Sequence, residues 1–341
     1  MLNFPFVTSK SFAIDLGNSN TLLSNDQHVL MSQPSYIAFD SSTHKVKAVG
    51  DAAYNMYEKN HAELSPVKPL RGGVIADFES AATMIREMVQ HVYPKKWFGS
   101  FSHIISGCPY ATTEVERRAL RDVMDQFNAR KTNLFYEPLA AASGMGLDIR
   151  SPEGKMIVDI GGGITEIVVI SLSGIAVFHS TKVAGDSFTV EIQDALRRNY
   201  NMAIGFKTAE QIKIQAGMVW NQDGVEPRSI AVRGKDIMLG IPVTRTISSV
   251  DVMHVLNKPF RAIEEGIVHA LEVCPPELAS DIYENGIHVT GGGALLGGLR
   301  ERLEHSFKLP IHIDEEPLLS VSRGIAQALR DPKKFRPVLV D

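Results

Sequence analysis

Cysteine is nearly absent: two residues, Cys108 and Cys274, in a chain of 341. So distant a pair forms neither a disulfide framework nor a metal-ligand spacing, which points to a reducing compartment. No apolar run approaches the roughly 18 residues that cross a bilayer. The opening stretch, Met1 to Lys10, is too short for a secretory signal and lacks its basic flank and cleavage site. A basic excess is missing too, since the formal net charge is −4, and this argues against a nucleic-acid binder. There is no low-complexity tract and no long Gly/Ser linker, so the whole chain is expected to fold. What is present is ordinary for a globular protein, with 44% hydrophobic and 22% charged residues. The length suits two or three domains' worth of core. The expected location is the cytoplasm.

Strand and helix patterns alternate, which predicts an α/β fold. Phe12 to Leu16 reads as a buried strand, followed by a Gly-Asn-Ser-Asn turn and a second strand through Leu22 and Leu23. Strands are expected at 102–106 and 133–136. Between them lies a helix over 112–127, with Val115, Ala119, Val123 and Phe127 on one stripe. The opening pattern then recurs: strand 155–160, turn Gly161-Gly162-Gly163, and a second strand from Thr165 to Leu172. Helices are predicted over 187–200 and 208–220, a small strand-rich insertion around 229–232 and 243–246, and a helix over 249–273 interrupted near Pro259. Strand 287–290 feeds Gly291-Gly292-Gly293 and a helix over 294–307. Two related halves would set the two hairpins facing each other across a cleft, where ligands of such folds gather.

A triphosphate needs backbone N–H donors close to its oxygens, and small residues permit that approach. The turns Gly17-Asn18-Ser19-Asn20 and Gly161-Gly162-Gly163 both qualify. Asp15 and Asp159 precede them at equivalent points and fit a Mg²⁺ ion held through water beside phosphates. Gly291-Gly292-Gly293, with Ala294, could lie against a base or an α-phosphate at a helix N-terminus. A lone triple glycine is more often a tight turn, and a lone strand-end Asp is commonly a structural acceptor. Three glycine turns after apolar strands, two with matched aspartates, point to a nucleotide.

These residues carry a family resemblance. Ile14-Asp15-Leu16-Gly17-Asn18-Ser19-Asn20-Thr21 is similar to the first phosphate motif of the MreB-type bacterial actins. Val158-Asp159-Ile160-Gly161-Gly162-Gly163-Ile164-Thr165-Glu166 resembles their second, and Val289-Thr290-Gly291-Gly292-Gly293-Ala294-Leu295-Leu296 their adenosine motif. Further similar blocks lie at 73–78, 115–119, 137–142 and 209–213, so the likeness runs from about residue 11 to 330. It implies an actin-like ATPase fold of two related halves and four subdomains, with ATP or ADP and Mg²⁺ in the cleft. The implied first domain is 1–145 with 320–341, carrying an insertion at about 32–75. The second is 146–319, with an insertion at about 184–248. The resemblance also implies head-to-tail filaments, paired, that scaffold rod-shaped wall growth. The implied partners are further copies, an anionic membrane surface at the inner face of the cell membrane, and membrane proteins of the elongation machinery.

By the same resemblance, Glu210 and Lys213 lie near the adenosine; their spacing puts both on one helix face, which also suits a solvated ion pair. Asp186 either faces the nucleotide or caps a helix. Glu137 resembles the family's catalytic glutamate, although an acid at a helix start is also favoured by the dipole. Where relatives carry threonine after the triple glycine, this chain has Ile164, which has no hydroxyl to hold a water. Thr165 is the next candidate, but neighbouring strand residues point to opposite faces. Slow hydrolysis is therefore expected, with a nucleotide-locked polymer or a small-molecule kinase as alternatives. The segment Lys95-Lys96-Trp97-Phe98 reads as a membrane anchor, lysines to anionic lipid and aromatics to the headgroup region, or with Trp97 simply capping the core.

Overall fold

The computed structural model describes residues 10–59, 62–93, 101–221 and 226–341. The segment Lys95-Lys96-Trp97-Phe98 lies outside the described residues, as does the apolar start of the chain. The fold divides into two units, one formed by 1–149 with 319–341 and the other by 150–318.

The first unit is built on a six-stranded sheet. Its order is Leu339–Val340, Thr132–Tyr136, Phe101–Cys108, Lys10–Leu16, Asn20–Ser24 and Val29–Pro34. Lys10–Leu16 pairs antiparallel with Asn20–Ser24 and parallel with Phe101–Cys108. These inner strands are apolar on both faces because helices cover the sheet. Phe12 anchors the core, its ring 4.6 Å from Phe101 and 5.7 Å from Phe127. A separate three-stranded sheet uses Val46–Val49, Ile37–Asp40 and Leu64–Val67.

The second unit repeats the plan. Its five-stranded sheet runs Gly174–Thr181, Thr165–Ser171, Lys155–Ile160, Ile287–Thr290 and Ile311–Ile313. Lys155–Ile160 is again antiparallel to the strand after its turn and parallel to the strand on its other side. A small sheet of Met202–Ala203, Ser229–Asp236 and Pro242–Ser248 stands apart from it.

Three elements differ from their sequence patterns, each for a local reason. The helix Glu114–Asp125 starts from a Thr113/Glu116 capping box and buries Leu120, Val123 and Met124, while Val115 is exposed. Its first turn projects beyond the core, so the buried stripe excludes the valine that periodicity assigned to it. The helix Ser249–Glu272 is not interrupted at Pro259. An interior proline removes one backbone hydrogen bond and costs about 3 kcal/mol. Here Leu256, Phe260 and Ile263 are fully buried around it and hold the helix together. The expected helix over 294–307 is two pieces, a 3-10 turn Gly292–Leu295 and the helix Leu299–Phe307. Gly298 sits between them at φ 72°, where a side chain would overlap the Trp220 carbonyl, a place open only to glycine.

Candidate functional site

Within the first unit, Asp15 is the last residue but one of Lys10–Leu16 and stands opposite Leu22 across the hairpin. The Gly17 N–H donates to the Asn20 carbonyl at 3.1 Å and closes the turn. Ser35 clamps it: the Ser35 hydroxyl donates to the Gly17 carbonyl at 2.6 Å and the Ser35 N–H to the Ser19 carbonyl at 2.9 Å. Asn18 is buried, and its Oδ1 accepts from the Gly73 N–H at 3.4 Å. Glu137 opens the helix Glu137–Gly144, at the end where the dipole favours an acid. A cavity of about 10 Å³ beside it has room for one water and is lined by Glu137, Gly107, Leu16, Gly73, Thr112 and Glu116, among others.

In the second unit the same turn is made by other means. The Gly161 N–H donates to the Ile164 carbonyl at 3.0 Å. The clamp is the start of the helix Gly185–Tyr200: the Gly185 and Asp186 N–H groups donate to the Gly161 and Gly162 carbonyls at 3.0 and 2.7 Å. Ala184 is the N-cap, so Asp186 is not a cap but a first-turn acid beside the triple glycine. Lys213 holds the clamp in turn, donating to the Gly185 carbonyl at 2.8 Å and to Thr189 at 3.0 Å. It also pairs with Glu210 at 2.7 Å, and Glu210 accepts from the Thr189 hydroxyl. The pair is largely shielded, with side chains 14% and 23% exposed, and is a brace between two helices rather than a solvated surface bridge.

Asp159 lies at the centre of this patch. Desolvation alone pushes its carboxyl up to about 6. The residue is only half-buried, and among the described residues no hydrogen bond or ion pair to that carboxyl is seen. Its cross-strand neighbour is Glu166, itself buried, where the first hairpin has Leu22. The second motif includes Glu166 without giving it a role; the register sets it opposite Asp159. Gly291, at φ 81°, passes so close that any side chain would overlap Asp159 Oδ1 and the Ile160 carbonyl. The Gly291 N–H donates to the Pro317 carbonyl at 3.1 Å, and the Ala294 N–H returns to the Gly291 carbonyl at 3.1 Å. The α-helix beyond begins only at Leu299, so the third glycine turn does not open onto an α-helix N-terminus.

Thr165 has no place in this patch. It is fully buried, and its hydroxyl donates to the Val183 carbonyl at 2.7 Å. The first hairpin has Thr21 at the same register position, also fully buried, with its hydroxyl 2.9 Å from that of Ser35. Both threonines tie a hairpin to the chain beyond it. In this structure the Thr165 hydroxyl is engaged by the Val183 carbonyl.

Asp159, the two glycine turns and the Glu210–Lys213 brace form one patch in the second unit. The sequence profile described as MreB/Mbl protein matches residues 9–337. The chain belongs to the MreB/Mbl family. Cell shape-determining protein MreB of Escherichia coli is 38% identical over 326 residues, covering 94% of this chain and 93% of that protein. Cell shape-determining protein Mbl of Bacillus subtilis is 36% identical over 328 residues, covering 96% and 98%. The crystal structure of MreB 5 of Spiroplasma citri bound to AMPPNP superposes with a TM-score of 0.90 at 36% identity, covering 97% and 98% of the two chains. A MamK double helical filament structure matches with a TM-score of 0.77 at 21% identity and supports the fold alone. The fold is that of the actin-like ATPases. Among the described residues no helix is long and apolar enough to cross a membrane.

Proposed function

We propose that this chain binds ATP or ADP with Mg²⁺ and assembles head to tail into paired filaments that scaffold cell shape at the inner face of the membrane. The observation that carries the nucleotide reading is Asp159. A carboxyl desolvated beside a glycine turn, with no described partner and with Glu166 opposite, is costly unless a cation completes it. A Mg²⁺–nucleotide held through water fits that carboxyl and would neutralise it together with the phosphates, with Asp15 the second carboxylate that the family resemblance implies. The turns at 17–20 and 161–163 would hold the phosphates. Gly291, Gly292, Gly293 and Ala294 would lie along the adenosine, with Glu210 and Lys213 bracing that side and Asp186 close to the triple glycine. The Spiroplasma citri relative was solved with AMPPNP and with ADP, which supports the choice of ligand.

Glu137 is the residue proposed to orient the attacking water, and the one-water cavity beside it supports that role. Ile164 offers no second hydroxyl and Thr165 is engaged elsewhere, so hydrolysis is slow. Introducing Ile164→Thr should raise phosphate release by about 10²-fold, the lower end of what a general acid–base contact contributes. An unchanged rate would sink the slow-hydrolysis reading. Membrane contact is assigned to Trp97 and Phe98, with Lys95 and Lys96 meeting anionic lipid. Avidity along a polymer would make so small an anchor effective. Pelleting with anionic vesicles, with and without Mg-ATP, tests polymer, ligand and membrane together. Lipid-bound filaments only with nucleotide are expected.

A further inference from the structure

The second unit has another concave surface, apart from its glycine turns. It is a groove of about 570 Å³ between the helix Ser249–Glu272 and the chain just past the helix Phe206–Ala216. That volume falls among those of small-molecule pockets. The groove shares no lining residue with the patch around Asp159. Its floor is a closed ion pair. Arg302 is buried and donates through Nε and Nη2 to the two carboxylate oxygens of Glu264 at 2.9 and 2.7 Å, and through Nη1 to the Val219 carbonyl at 3.3 Å. The Ser306 hydroxyl also donates to Glu264, at 2.9 Å, and the guanidinium stands over the Phe260 ring, 4.5 Å from its centre. Charges paired in this way cancel and fix the floor, and neither is left over for a ligand.

The walls are of another kind. Met253, His254, Asn257 and Arg261 follow one another at helical spacing and line one face of Ser249–Glu272. His254 and Arg261 are exposed and Asn257 is half-buried. Among the described residues, none of these three side chains has a hydrogen-bond or ion-pair partner. Trp220 forms the other wall, half-buried, its ring 4.9 Å from that of His305. An indole and a thioether together suit a flat apolar body. With the floor neutral, Arg261 supplies the net charge of the lining, and its planar fork matches a carboxylate, sulfonate or phosphate.

We propose that this groove is a second ligand site, for a small flat-bodied organic anion. The apolar body lies against Trp220 and Met253, and the acidic group sits on Arg261 with the Asn257 amide beside it. A cation is repelled by Arg261, and a neutral ligand leaves that charge without its partner, so the lining selects by sign as well as by shape. The site is independent of the nucleotide reading, because no residue of it belongs to the glycine turns or to the Glu210–Lys213 brace.

The test is fluorescence titration of the full chain with anilinonaphthalene sulfonate, a flat aromatic monoanion, with and without saturating Mg-ATP. The chain has two tryptophans, so a Trp97→Phe background leaves Trp220 as the only indole. One probe should bind per chain, quench Trp220 emission by energy transfer, and stay bound when Mg-ATP is added. Arg261→Glu should weaken the probe about tenfold or more, the loss of one charge-assisted hydrogen bond, and Arg261→Lys only a few-fold. Arg261 is exposed, so both variants should keep the wild-type melting temperature. Phenylnaphthylamine, the same rings without the sulfonate, should bind wild type about tenfold more weakly and be indifferent to Arg261→Glu. Equal affinity for the two probes, or an Arg261→Glu variant that binds the sulfonate as wild type does, would overturn the site. Displacement of the probe by Mg-ATP would put it in the nucleotide cleft and overturn the site as well, as would a chain that binds neither probe.

Discussion

Across the first hairpin Asp15 faces Leu22 and Leu16 faces Thr21; across the second Asp159 faces Glu166 and Ile160 faces Thr165. Every position shifts by the same amount. The glycine N–H closes each turn on the carbonyl three residues on, and a fully buried threonine ties each hairpin to the chain beyond it. Outside that shared frame the halves differ. The first turn is polar and held by one serine; the second is glycine-rich and held by a helix start that Lys213 braces. The aspartates differ most, since Asp15 has an interaction within the protein and the Asp159 carboxyl has none among the described residues. Positions that build the hairpin are kept between the halves, and positions proposed to meet a ligand have diverged.

Replacing the two aspartates is the strongest way to break that comparison. Asp159→Asn should weaken Mg-nucleotide binding by about 10²-fold, the ~3 kcal/mol of one half-buried charge partner. It should also stabilise the nucleotide-free protein at neutral pH by about 1–3 kcal/mol, because an uncompensated carboxylate is gone. Asp15→Asn should weaken binding with no such gain. The pH dependence has a fixed sign. Raised from 3.8 to about 6, the Asp159 carboxyl favours the folded state while protonated, and that contribution is lost as pH rises through about 6. Nucleotide-free wild type and Asp159→Asn should therefore melt alike near pH 4 and separate towards pH 7, with Mg-ATP protecting only the wild type. A variant that melts below wild type at pH 7 without nucleotide would end the account of an uncompensated charge.

The threonines sharpen the comparison from the other side. Thr165→Val leaves the Val183 carbonyl without its donor, and Thr21→Val strips the Ser35 hydroxyl of its neighbour. Each should cost about 1–2 kcal/mol in chemical denaturation, the range for one lost buried hydrogen bond. Phosphate release per assembled Thr165→Val subunit should not change. A tenfold fall would return Thr165 to the reaction and make the two hairpins unequal in function.

Much of this was legible in the residues. Apolar strands ending in Asp and leading into glycine turns gave both hairpins, and their repetition gave the two-half architecture. The features that stayed hidden depend on contacts between segments far apart in sequence. Pro259 reads as a helix break until the core around Leu256 and Phe260 is present. Val115 fits the helical period but sits on a turn that projects past the core. Spacing alone put Glu210 and Lys213 on one face, and only the fold supplies Gly185 and Thr189 as the partners that make them a brace. The facing acids Asp159 and Glu166 come from strand register, which a motif does not state.

Lys213 gives the smallest effect and separates the two turns most cleanly. It reaches the second turn only through Gly185, whose N–H holds the Gly161 carbonyl, while the first turn depends on Ser35. Lys213→Met should cost about 1 kcal/mol of stability, as a partly shielded pair does, and should weaken nucleotide binding only a few-fold. A cycle with Glu210→Gln should show coupling of about 0.5–1 kcal/mol, because the two side chains share Thr189. Hydrogen exchange should rise at Gly161, Gly185 and Asp186 and stay unchanged at Gly17 and Ser19. If binding fell as far as with Asp159→Asn while exchange at Gly185 held steady, Lys213 would be touching the ligand directly. The second turn would then owe its shape to the helix start alone, as the first owes its shape to one serine.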